Sequence, residues 1–166
     1  PALPGEVPTL ADWSDHLTTL FPEVRLKTFL EMRGADGGPW RWLCALPAMW
    51  TGLMYDADAL DAAWDLVKDW TAEDHLALRR DVPVRALGTE IRGRKLVEIA
   101  RETLDIASAG LKRRKRLNAV GEDETVYLSV LEEIVESGRC PAEVKLDKLN
   151  GEWAGDVDRV FEEDAY

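Results

Sequence analysis

The chain has little from which to build a centre of soft metal ligands. It holds two cysteines, Cys44 and Cys140, far apart and without CxxC or other metal-ligand spacing. Two histidines, His16 and His75, are too few for a histidine-rich site. No disulfide is expected, and with so little cysteine a reducing cytoplasm is the expected location. No apolar run reaches the roughly 18 residues of a membrane span, and no signal peptide opens the chain. No glycine-rich phosphate loop or dinucleotide fingerprint occurs. No Ser/His/Asp set can be assembled, because His75 lies in a charged stretch. The net charge of -11 argues against a nucleic-acid partner, whose phosphates an acidic surface repels.

What is present is mostly helix. The 166 residues fit one domain with enough apolar content for a core. The opening PALPGEVP reads as loop over 1–9, and a start at Pro1 suggests a piece of a longer protein. Thr9 with Asp12 resembles a capping arrangement for a helix over 10–20, ended by Pro22. Trp40 to Tyr55 is apolar nearly all round, predicting a buried helix that Pro47 kinks or splits. Asp56 caps a helix over 57–70 with Leu60, Ala63, Trp64 and Val67 on its stripe, and Thr71 caps another to Arg80. Pro83 and Gly88 read as a linker. A long helix follows over 93–114, then helices from Gly121 to Ser137, from Pro141 to Gly151, and from Asp156.

One stretch departs from this pattern. In FPEVRLKTFLEMRGAD, Leu26, Thr28, Leu30 and Met32 alternate with Arg25, Lys27, Phe29, Glu31 and Arg33. This is the period of a half-buried strand, predicted over 24–33. A lone strand leaves its backbone unpaired, so either Val82–Leu87 hides a second one or the rest of the sheet lies elsewhere. An exposed strand edge would offer pairing to a second copy. The expectation is a mainly α chain with one or two β-strands.

The charged face of that strand is the first place to look for chemistry, since aligned charges cost free energy unless they meet partners. Glu31 and Arg33 stand about 6.6–6.8 Å apart on one face, able to contact one ligand from two sides. A carboxylate suits Mg²⁺, and a guanidinium grips phosphate or carboxylate with a fork. The plain alternative is a cross-strand salt bridge. Arg25 is a candidate for a substrate carboxylate, or for an ion pair with Glu23 or a neighbouring strand. Lys27 reads as solvated and Asp36 as a turn residue. Thr18 and Thr19 read equally as substrate contacts or as helix-end hydrogen bonders.

Of seven tryptophans, most read as core, with Trp50 or Tyr55 the candidates to wall a substrate pocket. Cys44 reads as a buried thiol. The basic run Lys112 to Arg116 reads as a helix end whose cations complement the dipole.

The runs HLTTLFPEVRLKTFLEMRGAD, WRWLCALPAMWTGLMYD, AWDLVKDWT and NGEWAGDVDRVFEEDAY resemble the C-terminal part of a glutamate–cysteine ligase of the plant and proteobacterial type. The resemblance runs from about Leu10 to Tyr166. It implies the helical C-terminal portion of an α+β, glutamine-synthetase-like catalytic domain. Residues 10–39 would carry a helix and the sheet strand with the site residues, and 40–166 the helical region. It implies glutamate, cysteine and ATP as substrates, with Mg²⁺ and ATP held mostly by an N-terminal portion. Glu31 then matches a metal ligand and Arg33 a catalytic contact with glutamate or phosphoryl group. Because one carboxylate cannot hold the ions such a site needs, the chain alone is expected to be inactive. Two alternatives stay open: a ligase for another amine, and a non-catalytic helical association module.

Overall fold

A computed structural model describes residues 4–35 and 37–164. The chain divides into two compact units, Pro1–Gly37 and Gly38–Tyr166. Asp36, expected as a turn residue, lies outside the described residues.

The first unit is a helix and a hairpin. Helix α1 spans Leu10–Thr18 behind a complete capping box: Thr9 N–H donates to Asp12 at 2.7 Å, and Asp12 N–H to the Thr9 hydroxyl at 3.3 Å. Thr18 and Thr19 close the helix end, their hydroxyls donating to the carbonyls of Asp15 and His16. The single strand expected over 24–33 is instead two antiparallel strands, β1 (Val24–Leu26) and β2 (Leu30–Met32). Lys27, Thr28 and Phe29 make the turn, with Lys27 N–H on the Phe29 carbonyl at 2.9 Å. The strand partners itself, and Val82–Leu87 is not needed as a second strand. The alternation misled because a three-residue loop preserves parity. Leu26 faces Leu30 and Val24 faces Met32 on one side, while Arg25 faces Glu31 on the other.

The second unit is helical. A 3₁₀ turn at Trp40–Trp42 precedes α2 (Ala45–Met54). The expected break falls before Pro47, which occupies the first turn of α2, where a missing N–H costs nothing. Helices α3 (Ala57–Val67) and α4 (Ala72–Arg85) start at the caps read from Asp56 and Thr71. Helix α4 absorbs Pro83 and most of the expected linker, ending at Ala86 with φ of 46°. A second hairpin, β3 (Glu90–Ile91) with β4 (Arg94–Lys95), turns through Arg92 and Gly93, both at positive φ. Then come α5 (Leu96–Arg114), a 3₁₀ segment Glu124–Leu128, α6 (Ser129–Ser137), α7 (Pro141–Asn150) and the short α8 (Arg159–Glu163).

The core gathers Ala48 and Leu53 of α2, Leu104, Ala107 and Leu111 of α5, then Leu128 and Val135. Its closest approach is the crossing of α2 and α5. A Cβ on Gly52 would overlap the Ala107 carbonyl, and one on Gly110 would overlap the Gly52 carbonyl and press on Ala59. This explains two departures from the sequence reading. Helix α3 buries Ala59 rather than the expected stripe, leaving Trp64 63% exposed. Helix α2 buries Ala45, Ala48, Gly52 and Leu53, not its whole circumference. Cys44, expected buried, is exposed at the cap of α2, and both thiols are free.

Gly52→Ala or Gly110→Ala should therefore destabilise the chain by about 1–3 kcal/mol through overpacking, in spite of alanine's helix preference of about 1 kcal/mol. Urea unfolding checks this; an unchanged midpoint would mean the two helices separate without cost.

Candidate functional site

The hairpin sorts its charges into two kinds of environment. Arg25 and Glu31 lie directly across β1 and β2, and the guanidinium reaches one carboxylate oxygen, Oε2, through Nε and Nη2, both at 2.7 Å. Both side chains are about one-third exposed. The hydrogen bond from Arg25 holds the Glu31 carboxyl below its ordinary value of 4.5, with the nearby cations Arg33 and Lys27 adding to the effect. Glu31 is thus ionised at any neutral pH.

Arg33 sits one residue beyond β2, anchored by its backbone N–H on the Glu23 carbonyl at 2.8 Å. Its guanidinium carbon lies 4.7 Å from the centroid of the Phe21 ring. Its Nη1 is buried without a hydrogen-bond partner among the described residues. Of the expected residues the hairpin therefore unites Arg25 with Glu31 and sets Arg33 next along the strand. Lys27 falls in the turn and is exposed.

Trp50 and Tyr55 belong to the second unit. Trp50 is half-buried on α2. Tyr55 is 74% exposed just past that helix, with the Arg114 guanidinium 5.6 Å from its ring centroid. Two residues of the basic run are paired: Arg113 donates to Asp56 at 2.5 and 2.9 Å, and Arg114 lies 3.5 Å from Glu124. Neither Trp50 nor Tyr55 lines the pocket of about 350 Å³ in this unit, which lies between Trp42, α6, α7 and Trp153. Charged groups at that pocket answer one another: Lys148 meets Glu163 at 2.6 Å, Lys145 meets Asp164, and Arg41 meets Glu133. Among the described residues no three His, Cys, Asp or Glu side chains come together to hold a metal ion.

Phe21 was not singled out from the sequence. The one signal available was an aromatic residue just before a proline and close to a cationic segment. It carried no weight until the turn was known to bring the strand end back beside it.

The family model for glutamate-cysteine ligase family 2 (GCS2) matches residues 5–163. The chain belongs to that family. It is 52% identical over 166 residues to the chloroplastic glutamate–cysteine ligase of Arabidopsis thaliana, covering all of this chain and 31% of that protein. It is 51% identical to the chloroplastic enzyme of Brassica juncea and 49% to that of Solanum lycopersicum, each over all of this chain and 31% of the relative. The chain thus spans about a third of the length of the curated relatives it matches. These relatives are named as chloroplastic, which overturns the cytoplasmic expectation. Few cysteines and an acidic surface do not separate two compartments that both keep thiols reduced.

The charge sorting has a measurable consequence. By NMR titration Glu31 should ionise below 4.5, and Arg25→Gln should move its midpoint back up toward that value. Because the folded value is lowered, the stability tied to this pair is complete above about 4.5 and is lost as pH falls through the folded midpoint. An unmoved midpoint in the Arg25 variant would show that the pair does not persist in solution.

Proposed function

We propose that this chain is one part of an ATP-dependent, plastid-located ligase that joins the γ-carboxylate of glutamate to the amine of cysteine. The product would be γ-glutamylcysteine, the first intermediate of glutathione synthesis. The catalytic domain would have a glutamine-synthetase-like fold to which this chain contributes a hairpin and a helical region.

The observation that carries the reading, beside family membership, is Arg33. A buried guanidinium nitrogen without a partner costs about 1–3 kcal/mol relative to a satisfied one. An anionic oxygen of the substrate would satisfy it. The reaction class requires such a cation. A carboxylate is a poor acyl donor, so its oxygen first attacks the γ-phosphorus of ATP, releasing ADP and leaving an acyl phosphate. The amine nitrogen then attacks the acyl carbon, phosphate departs and the amine loses a proton. Negative charge is concentrated on phosphoryl and carboxyl oxygens throughout. Arg33 serves by binding one of these oxygens and orienting it.

Mg²⁺ would supply charge neutralisation at the phosphate oxygens. Glu31 fits as one oxygen ligand, since Arg25 engages only its Oε2. The described residues fit no complete shell, because no cluster of acidic side chains accompanies it. The remaining ligands and the nucleotide contacts would come from other parts of the enzyme. Arg25 is then a partner of Glu31 rather than a contact of the substrate carboxylate. Trp50 and Tyr55 are offered as walls for the amino-acid substrate.

In the intact enzyme, Arg33→Gln should lower kcat/KM by about 10²–10³-fold, the effect of removing one well-placed donor from a site of developing charge. Wild-type kinetics in that variant would overturn the assignment. The 166-residue chain alone should form no γ-glutamylcysteine from glutamate, cysteine and ATP; product formation would show that the chain holds a whole site. Assaying the intact enzyme with other amines separates this reading from a ligase of different amine specificity.

A further inference from the structure

The hairpin holds two arginines by opposite means. Arg25 commits both Nε and Nη2 to a carboxylate, and much of its charge is answered there. Arg33 is held from the side, with its guanidinium over the ring of Phe21 at 4.7 Å. A guanidinium is planar, and its five N–H donors lie around its edge. A position over a ring face therefore holds the group without engaging a donor or cancelling its charge. A carboxylate partner would do both. The ring is 73% exposed, and what restrains it is the backbone on either side. Phe21 precedes Pro22, which restricts its backbone to extended conformations. The neighbouring backbone is tied back through the Arg33 N–H on the Glu23 carbonyl.

We infer that Phe21 is a positioning residue, whose ring holds the Arg33 guanidinium over its face and leaves Nη1 for an anionic oxygen of the substrate. This rests on the reading of Arg33 as an anion contact. The ring touches no reacting atom. Its effect is on the fraction of time that Arg33 is presented correctly, so it concerns the substrate whose oxygen Arg33 holds, and not cysteine.

The test uses Phe21→Leu, Phe21→Met, Phe21→Tyr and Arg33→Gln in the intact enzyme, with glutamate, ATP and cysteine varied in turn. Thermal melts show whether each variant folds. The expected result for Phe21→Leu is a fall of about two- to thirtyfold in kcat/KM for glutamate or ATP, the scale of one exposed cation–π contact up to a desolvated one. The KM for cysteine should be unchanged, and Phe21→Tyr, which keeps the ring face, should restore wild-type values. Should Phe21→Leu not fold, Phe21→Met is read in its place. The inference is overturned if the variant lacking the ring behaves as wild type while Arg33→Gln is impaired. It is also overturned if Phe21→Tyr is as impaired as Phe21→Leu, if all three substrates are affected alike, or if neither ring-free variant folds. Wild-type kinetics in Arg33→Gln would instead remove the reading of Arg33 on which the inference stands.

Discussion

The second unit depends on how closely α2 and α5 approach. Gly52 and Gly110 present bare backbone to each other's helix, with Ala107 and Ala59 filling the remaining gap. Only such residues allow the two axes to come near enough for Leu53, Leu104 and Leu111 to close on Leu128. The polar features at the ends of these helices follow from that approach. Asp56 caps α3 through the Ala59 N–H at 2.9 Å and also receives Arg113 from the last turn of α5. These contacts, the Arg113 hydrogen bond first, hold the Asp56 carboxyl below its ordinary 3.8. Its contribution to stability is therefore present above that value and disappears as pH falls further. Apolar packing and a charged cap are coupled here, because separating the two helices would remove Arg113 from Asp56.

In the first unit the governing constraint is parity. Three residues between β1 and β2 keep apolar positions on one side and charged positions on the other. The charged side then differentiates by what each arginine meets. Opposite charges directly across an antiparallel pair attract, and this joins Arg25 to Glu31. Arg33 lies just past the paired strands, where its backbone N–H meets the Glu23 carbonyl across from it, and its guanidinium lies over an aromatic ring. Two residues of the same type, eight apart, thus meet different side-chain partners, a carboxylate and an aromatic ring.

The helical architecture was legible because its boundaries are marked chemically. Thr9, Asp56 and Thr71 all cap as their side chains suggest, and Pro141 opens α7 as a first-position proline should. What was illegible has physical causes. A three-residue turn without glycine, proline or asparagine leaves no local mark, and the parity it preserves imitates one continuous strand. Pro83 stands close enough to the end of α4 that the helix tolerates it, so it did not act as a linker. The stripe expected on α3 assumed that bulky residues seek the core. At the crossing of α2 and α5 the small Ala59 is buried and Ala63 packs partly, while Leu60 and Trp64 stay exposed. As for the site, the charges of Glu31, Arg25 and Arg33 were visible in the sequence, but their pairing was not. Pairing needs the register, and the register needs the turn.

That pairing bears on whether Glu31 can bind a cation at all. A carboxylate committed to a salt bridge and a carboxylate ligating a metal look like competing fates, yet the geometry does not oppose them. The carboxylate has two oxygens with about four acceptor positions. Arg25 reaches only Oε2. Carboxylates that bind metals are themselves commonly hydrogen-bonded by neighbours, which fixes their orientation and keeps them deprotonated. Arg25 supplies both effects, since it fixes Oε2 and lowers the affinity of Glu31 for a proton. The cost is a weaker pull on a cation, because part of the negative charge is already answered. In the proposed enzyme that weakening matters less, since Mg²⁺ would arrive bound to phosphate oxygens that carry most of the charge. A carboxylate oriented by one arginine, beside a second arginine kept uncommitted by an aromatic ring, is a pair of opposite charges held apart. In the proposed enzyme, the Arg25 contact on one side and the Phe21 contact on the other would hold each group in place for a third party.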